Sequence, residues 1–341
     1  MDVNREHRPF AARSNHLDCP HPEPAPAGQA WCPEPGEGSA GERTLPASDT
    51  SDAVLLEELR ALGRADRIGA LGRLTGGTLA DVWLITYTDG TQVIGKTVTG
   101  APPDLFQAEA DGLIALRGTG HLATPQVLAV TGRLLLLEAL VARDDSERSW
   151  EEFARDLAAA HRSTTGTKFG WDHDGYLGRF RQVNTWTANG HQFFAQHRLQ
   201  RYLSEPAVEQ ALTVADRRAI ERLCDRLPEV IPAMPSVLTH GDLWSGNLVS
   251  QPSGRITVID PAVSRTWAEV DLSMLWGSPR PPAAARFFEI YQELNPSPPG
   301  WADRMPILHL REHLSVIAAY GPAAASTIDQ VRDILAPFYP R

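Results

Sequence analysis

The stretch from Val237 to Pro261 constrains the fold more than any other, because it places costly polar side chains at fixed points of a short hairpin pattern. Val237 and Leu238 lead into His240-Gly241-Asp242. Five residues after Asp242, Asn247 heads a second apolar run. Gln251-Pro252-Ser253-Gly254 is a turn cluster, and Arg255 to Ile259 alternates as a strand does. With the turn centred near Pro252 and Ser253, the two runs pair antiparallel and Asn247 falls opposite the residues around Ile259. Asn247 and Asp260 therefore face one another at the open end of the hairpin, with Asp242 close by.

An amide oxygen and a carboxylate brought together in this way suit Mg²⁺, which takes one or two protein oxygens and completes its shell with phosphate and water. Phosphoryl transfer asks little covalent chemistry of a protein; it asks that a hydroxyl be held in line and that phosphate charge be neutralised. Asp242 is placed for the first task, as base or orienting group, and Asn247 and Asp260 for the second, as metal ligands. The order His-x-Asp-x-x-x-x-Asn followed by a lone Asp at a strand end is that of the protein-kinase catalytic loop and metal aspartate. Gly241 and Asp260-Pro261 differ from the protein-kinase versions and favour a small-molecule kinase.

The octet His240-Gly241-Asp242-Leu243-Trp244-Ser245-Gly246-Asn247, then Ile259-Asp260-Pro261-Ala262-Val263, resembles the signature of the fructosamine kinase, or ketosamine 3-kinase, family. So do Phe106 to Leu116, Gly170-Trp171-Asp172, Tyr176-Leu177-Gly178, Phe193-Phe194-Ala195 and Glu269-Val270-Asp271-Leu272-Ser273-Met274. The resemblance extends from about Leu55 to the end of the chain. It implies ATP-dependent phosphorylation of the sugar 3-hydroxyl of glycated amines such as fructosamines and ribulosamines. It also implies that Trp244 stands on the substrate side, its indole face available to a protonated amine. His240 and Asp271 are grouped with Trp244 there, Asp271 also as a hydrogen-bonding brace for the loop. Two departures from the family pattern stand out: Thr266-Trp267-Ala268 replaces Gly-His-Arg, and Gly95 replaces a bulky residue.

The segment before the hairpin is patterned as a nucleotide-binding lobe. Residues 1–50 hold eight prolines, four glycines and no lysine, and are expected to be a disordered tail. Ser51-Asp52 begins a helix that closes near Gly63. Ile68 to Val98 reads as three strands broken by Gly76-Gly77 and by Asp89-Gly90, a hairpin signal. The first turn, with Gly76, Gly77 and Thr78, sits where kinases cover the ATP phosphates. Lys96 on the third strand is placed to reach those phosphates, and Glu109, on a helix over Asp104 to Arg117, is its expected partner. Gln126 to Thr131 and Arg133 to Leu137 complete a five-stranded antiparallel sheet. Glu138-Ala139-Leu140 follows as the link whose backbone meets adenine, with Glu138 and Leu140 as its cofactor-side residues.

Beyond that link the pattern is helical: Ser149 to Arg162, Asn189 to Tyr202, Val214 to Arg226, Phe287 to Leu294, Ile307 to Tyr320 and Ala324 to Phe338. His161 is expected to be a packed core histidine. The fold class is therefore α+β, a two-lobed protein-kinase-like fold with a small lobe over 51–140 and a mainly helical large lobe over 141–341. A net charge of −10 without a basic cluster argues against a nucleic-acid or anionic-membrane surface. Neither a membrane-length apolar run nor a signal sequence is visible, so a cytoplasmic protein is expected. The three cysteines are odd in number and unpaired in spacing, and His16, Cys19, His21 and Cys32 match no standard zinc pattern. Two other functions share the same residues: an aminoglycoside- or choline-type phosphotransferase, against which the Trp244 octet speaks, and a nucleotide-binding pseudokinase, against which the full catalytic set speaks.

Overall fold

In a computed structural model, residues 50–74 and 80–340 are described. The expected tail and the turn with Gly76, Gly77 and Thr78 lie outside the described residues. The small lobe opens with α1 (Thr50–Ala61) and carries β1 (Ile68–Leu74), β2 (Asp81–Tyr87), β3 (Gln92–Thr97), α2 (Leu105–Gly118), β4 (Val127–Val130) and β5 (Leu134–Glu138). The strands form one antiparallel sheet in the order β1-β2-β3-β5-β4.

Strand periodicity decides which helix covers which face. Ile94 and Lys96 point to the same side, where Val82, Leu135 and Leu137 meet Phe106, Ala110 and Leu113 of α2. The opposite face, with Ile85, Leu134 and Leu136, is covered by Leu55 and Leu59 of α1. Gly95 belongs to that second face, and a Cβ there would lie 3.0 Å from Ile85 and 3.2 Å from Leu55. The space that a bulky residue takes in the family pattern is filled from α1.

The large lobe comprises α3 (Glu147–Ser163), the hairpin β6 (Gly175–Leu177) and β7 (Phe180–Gln182), α4 (Gly190–Phe194), α5 (Pro206–Ala211), α6 (Val214–Val230) and the short strands β8 (Val237–Thr239), β9 (Leu248–Ser250), β10 (Ile256–Val258) and β11 (Ser264–Thr266). It closes with α7 (Glu269–Gly277), α8 (Phe287–Leu294), α9 (Trp301–Tyr320) and α10 (Ala325–Leu335). Its core is one continuous apolar cluster drawn from all these helices. Several boundaries differ from expectation: α9 begins at Trp301 rather than Ile307, and α6 runs on to Val230. The α3 cap is Ser146, whose side chain accepts from the Ser149 backbone, so the helix starts before Ser149. The helix expected over Asn189 to Tyr202 is α4 followed by a π turn and a 3₁₀ turn. Among the described residues no helix is long and apolar enough to cross a membrane.

Candidate active site

The hairpin that follows Asp242 pairs as its sequence implies: Leu248 lies opposite Val258, and the Ile259 N–H donates to the Asn247 carbonyl at 3.0 Å. Asn247 and Asp260 thus stand side by side. Asp260 has φ 57°, the left-handed region that a non-glycine residue enters at a cost, and such positions gather at functional sites. Gly241 has φ +81°, and a Cβ there would run into the Ala262 carbonyl. Only glycine fits between His240 and Asp242 in this geometry.

Asp242, Trp244, Gly246, Asn247 and Asp260 line one cleft between the lobes, together with Lys96 and Glu109. The Lys96 ammonium donates to Glu109 Oε1 at 2.6 Å and also to Asp260 Oδ1. It is 3 % exposed. Burial works against its charge, but the carboxylates of Asp260 and Glu109 outweigh that and hold its pKa above the ordinary lysine value. For Glu109 burial dominates over Lys96 and pushes the carboxyl up.

The Asn247 amide donates to the Asp242 backbone oxygen at 2.8 Å and to its carboxylate at 3.1 Å. Both amide hydrogens are directed at Asp242, which leaves the amide oxygen for a cation. Burial, then the negative charge of Glu312, pushes the Asp242 carboxyl up to about 8, against the opposing pull of Arg311. A carboxyl tuned toward neutrality suits proton transfer from an alcohol. Trp244 is 41 % exposed. Its ring folds back over Gly246, where any Cβ would collide with the indole.

Two residues expected on the substrate side are buried in hydrogen-bonded positions. His240 and Asp271 are both 0 % exposed, and neither lines the cleft. Asp271 accepts from the backbone N–H groups of His240 and Gly241, each at 2.8 Å, and from His161 Nε2 at 3.2 Å. His161 is the buried residue expected, but its ring is also a link: Asn295 donates to Tyr291 Oη at 2.7 Å and Tyr291 to His161 Nδ1 at 2.6 Å. Burial raises the Asp271 carboxyl, but the His161 hydrogen bond and its other partners prevail and its pKa lies below the ordinary value. His240 Nδ1 accepts from the Asp242 N–H at 3.2 Å, which puts the ring proton on Nε2, donating to the Ile259 carbonyl at 2.9 Å. One neutral imidazole thereby ties the Asp242 loop to the strand end that carries Asp260.

At the link between lobes, the Glu138 carboxylate accepts from Gln126 N at 3.0 Å and Leu140 is buried beside Val249 and Ile259. Neither lines the cleft. The aromatic-rich loop from Phe169 to Trp186, which in sequence suits either a pocket wall or packing on the lobe, contributes to the cleft. Trp171, His173, Tyr176 and Asn184 form its large-lobe side, and Val98, Leu105 and Phe106 its small-lobe side. Arg143 donates to the Ser245 carbonyl and Ser278 Oγ accepts from Ser245 N at 3.2 Å, holding the loop from both sides. No local signal marks Arg143 or Ser278. Trp267, in the departing Thr266-Trp267-Ala268 segment, is core: it packs on Phe169 at 5.9 Å and Phe194 at 5.6 Å.

A family model described as fructosamine kinase matches residues 53–336. The chain is 33% identical over 271 residues to a probable ketoamine kinase of Synechocystis sp., with 76% of this chain and 88% of that protein covered. A solved Thermobifida fusca chain assigned as a fructosamine-3-kinase superposes with a TM-score of 0.73 at 30% identity, covering 85% of this chain and 100% of that one. A Streptococcus pneumoniae choline kinase shares the fold at a TM-score of 0.61 and 16% identity, covering 85% of this chain and 100% of that one.

Proposed function

The chain belongs to the fructosamine kinase family of ATP-dependent phosphotransferases, and from that premise we propose that it phosphorylates the sugar 3-hydroxyl of ketosamines. The observation that carries the reading is the convergence of Lys96, Glu109, Asp242, Asn247 and Asp260 on one cleft with Trp244 at its side. In the reaction the acceptor hydroxyl attacks the γ-phosphorus of ATP. The bond to the β–γ bridging oxygen breaks and ADP leaves, while the hydroxyl proton passes to the Asp242 carboxylate. Lys96, aimed by Glu109, meets the phosphates. The backbone at Glu138 to Leu140 is assigned to adenine, and the turn with Gly76, Gly77 and Thr78 to covering the phosphates.

The donor set fits Mg²⁺, an amide oxygen from Asn247 beside an Asp260 carboxylate, and these two residues would hold the ion. When bound it supplies positive charge against the phosphates. Trp244, with Trp171 and Tyr176 across the cleft, offers apolar ring faces to the amine end of a ketosamine. The choline-kinase likeness reaches the fold only, and the intact catalytic set argues against a pseudokinase.

Purified protein with Mg²⁺-ATP is to be offered fructoselysine, ribuloselysine, an aminoglycoside and choline, with ADP release followed and the phosphate position read by ³¹P NMR. Phosphate on the 3-hydroxyl of either ketosamine is the expected result. Turnover of only the aminoglycoside or choline replaces the acceptor class, and no ADP with any acceptor returns the pseudokinase reading.

A further inference from the structure

The helix that carries Glu109 is fastened to the opposite lobe. Asp104 occupies the N-cap of α2, yet its side chain makes no capping hydrogen bond. An aspartate at that position ordinarily accepts from the first helical turn. Here the carboxylate accepts instead from Tyr176 Oη, in β6 of the large lobe, at 2.7 Å, and it has Arg181 of β7 at 3.5 Å. Two helical turns further on and on the same helix face, Asp111 Oδ2 lies 3.3 Å from His173 Nε2. Glu109 sits between these two attachments. The same helix also comes close to the segment after Asp260: a Cβ on Gly112 would lie 3.0 Å from Pro261 and 3.3 Å from Val263.

The hairpin that makes these contacts is itself held firmly. Asp174 accepts from Asn184 N at 2.9 Å and from Arg181 Nε at 3.1 Å, and Asn184 Nδ2 donates to the His173 carbonyl at 3.1 Å. Arg198, buried beneath, donates to Asn184 Oδ1 at 2.6 Å. A firm hairpin on one lobe thus grips a helix of the other at both ends of the turn that bears Glu109. His173, Tyr176 and Asn184 also line the cleft, so the grip and the acceptor wall are one structure.

We propose that the β6–β7 hairpin is a positioning strap for α2: Tyr176 on Asp104 and His173 on Asp111 seat the helix so that Glu109 keeps Lys96 aimed at the nucleotide. These are positioning residues, acting through Glu109. The nucleotide arm of the proposal rests on the phosphotransferase reading above; the seating of the helix does not.

The variants Tyr176→Phe, Asp104→Ala, their combination and Asp104→Asn separate the two. Amide hydrogen exchange over residues 105–118 needs no substrate. Because the Asp104 side chain does not cap α2, the melting temperature is expected to stay near that of the unmodified protein. Exchange along α2 is expected to rise by about 3- to 10-fold in Tyr176→Phe and in Asp104→Ala, the worth of one partly exposed charge-assisted hydrogen bond, while β1 to β3 are unaffected. The dissociation constant of a non-hydrolysable ATP analogue with Mg²⁺ should weaken by a similar factor of about 3 to 10, and the double variant should lose no more than either single one. Asp104→Asn, which keeps an oxygen for Tyr176, should restore most of both. Unchanged exchange in α2 overturns the strap. So do losses that add in the double variant, or faster exchange with nucleotide affinity unmoved. Absence of ketosamine turnover in the unmodified protein refutes the acceptor assignment alone, because neither readout uses an acceptor.

Discussion

Replacing Asp271 by Asn tests whether the catalytic aspartate is placed by a buried carboxylate rather than by its own loop. The carboxylate accepts three hydrogen bonds: Gly241 N on Oδ1, and both His240 N and His161 Nε2 on Oδ2. An asparagine has one acceptor oxygen. In either amide orientation its NH₂ group must face at least one buried N–H donor. A buried donor left unsatisfied costs about 1–3 kcal/mol, and loss of the charge-assisted bond to His161 brings the total to roughly 2–5 kcal/mol. For the large lobe this corresponds to a fall in melting temperature of about 4–20 °C.

The kinetic consequence is directional. The peptide between His240 and Gly241 loses its anchor, so Asp242 is misplaced while Lys96 and Glu109 keep their contacts. Turnover with ketosamine should fall by about 10- to 100-fold, as for a displacement of an ångström at the reacting centre, with KM for ATP nearly unchanged. Thermal melts and steady-state kinetics on the same preparation measure both. A variant that melts at the original temperature and keeps its turnover, or that loses ATP binding in step with kcat, refutes the reasoning.

Asp242→Asn should lower kcat by about 10²- to 10⁴-fold, the range for loss of a general base, with ATP affinity retained by isothermal titration. Gly246→Ala keeps the backbone conformation accessible but drives a methyl group into the Trp244 ring. KM for the ketosamine should therefore rise while KM for ATP stays, and an unmoved acceptor KM would remove Trp244 from the acceptor wall. Gly95→Val overfills the face shared by Ile85 and Leu55 at a cost of about 1–3 kcal/mol, and Leu55→Ala in the same chain should recover part of the loss in a denaturant titration. Buried His240 should cost stability in mild acid, against an opposite contribution from Asp242, whose raised carboxyl takes up its proton first in the folded state. Burial depresses the pKa of His240 below 6.5, so the unfolded chain takes up this proton first and the contribution of His240 to stability is lost as pH drops below that value. His197, also depressed by burial, adds in the same direction. Melting curves between about pH 7 and pH 5 should bend further toward lower stability in the unmodified protein than in His240→Asn, which has no titrating ring.

The sequence by itself determined what depends on short-range pattern. Turn residues near Pro252 set the register that brings Asn247 beside Asp260, since a two-stranded pairing leaves one geometry once the turn is placed. Alternation in β3 put Lys96 on the face of Ile94, and helical spacing put Glu109 where that face is covered. What only the tertiary structure decided is which polar atoms oppose each other across long stretches of chain. Asp271 and His240 were grouped with the substrate because their motifs flank it; the packing of α3, α7 and α8 buried both and turned them into the brace of the loop. Trp267 likewise became core, and Leu55 of α1 took the room that Gly95 leaves. Asp104 opens the helix expected over Asp104 to Arg117, and the meeting of the two lobes gave its carboxylate to Tyr176. Local pattern encodes direction along an element, whereas the partner of a buried or bridging polar group is settled only when separate elements close on one another, because each such group must then find its hydrogen bond there or lose it.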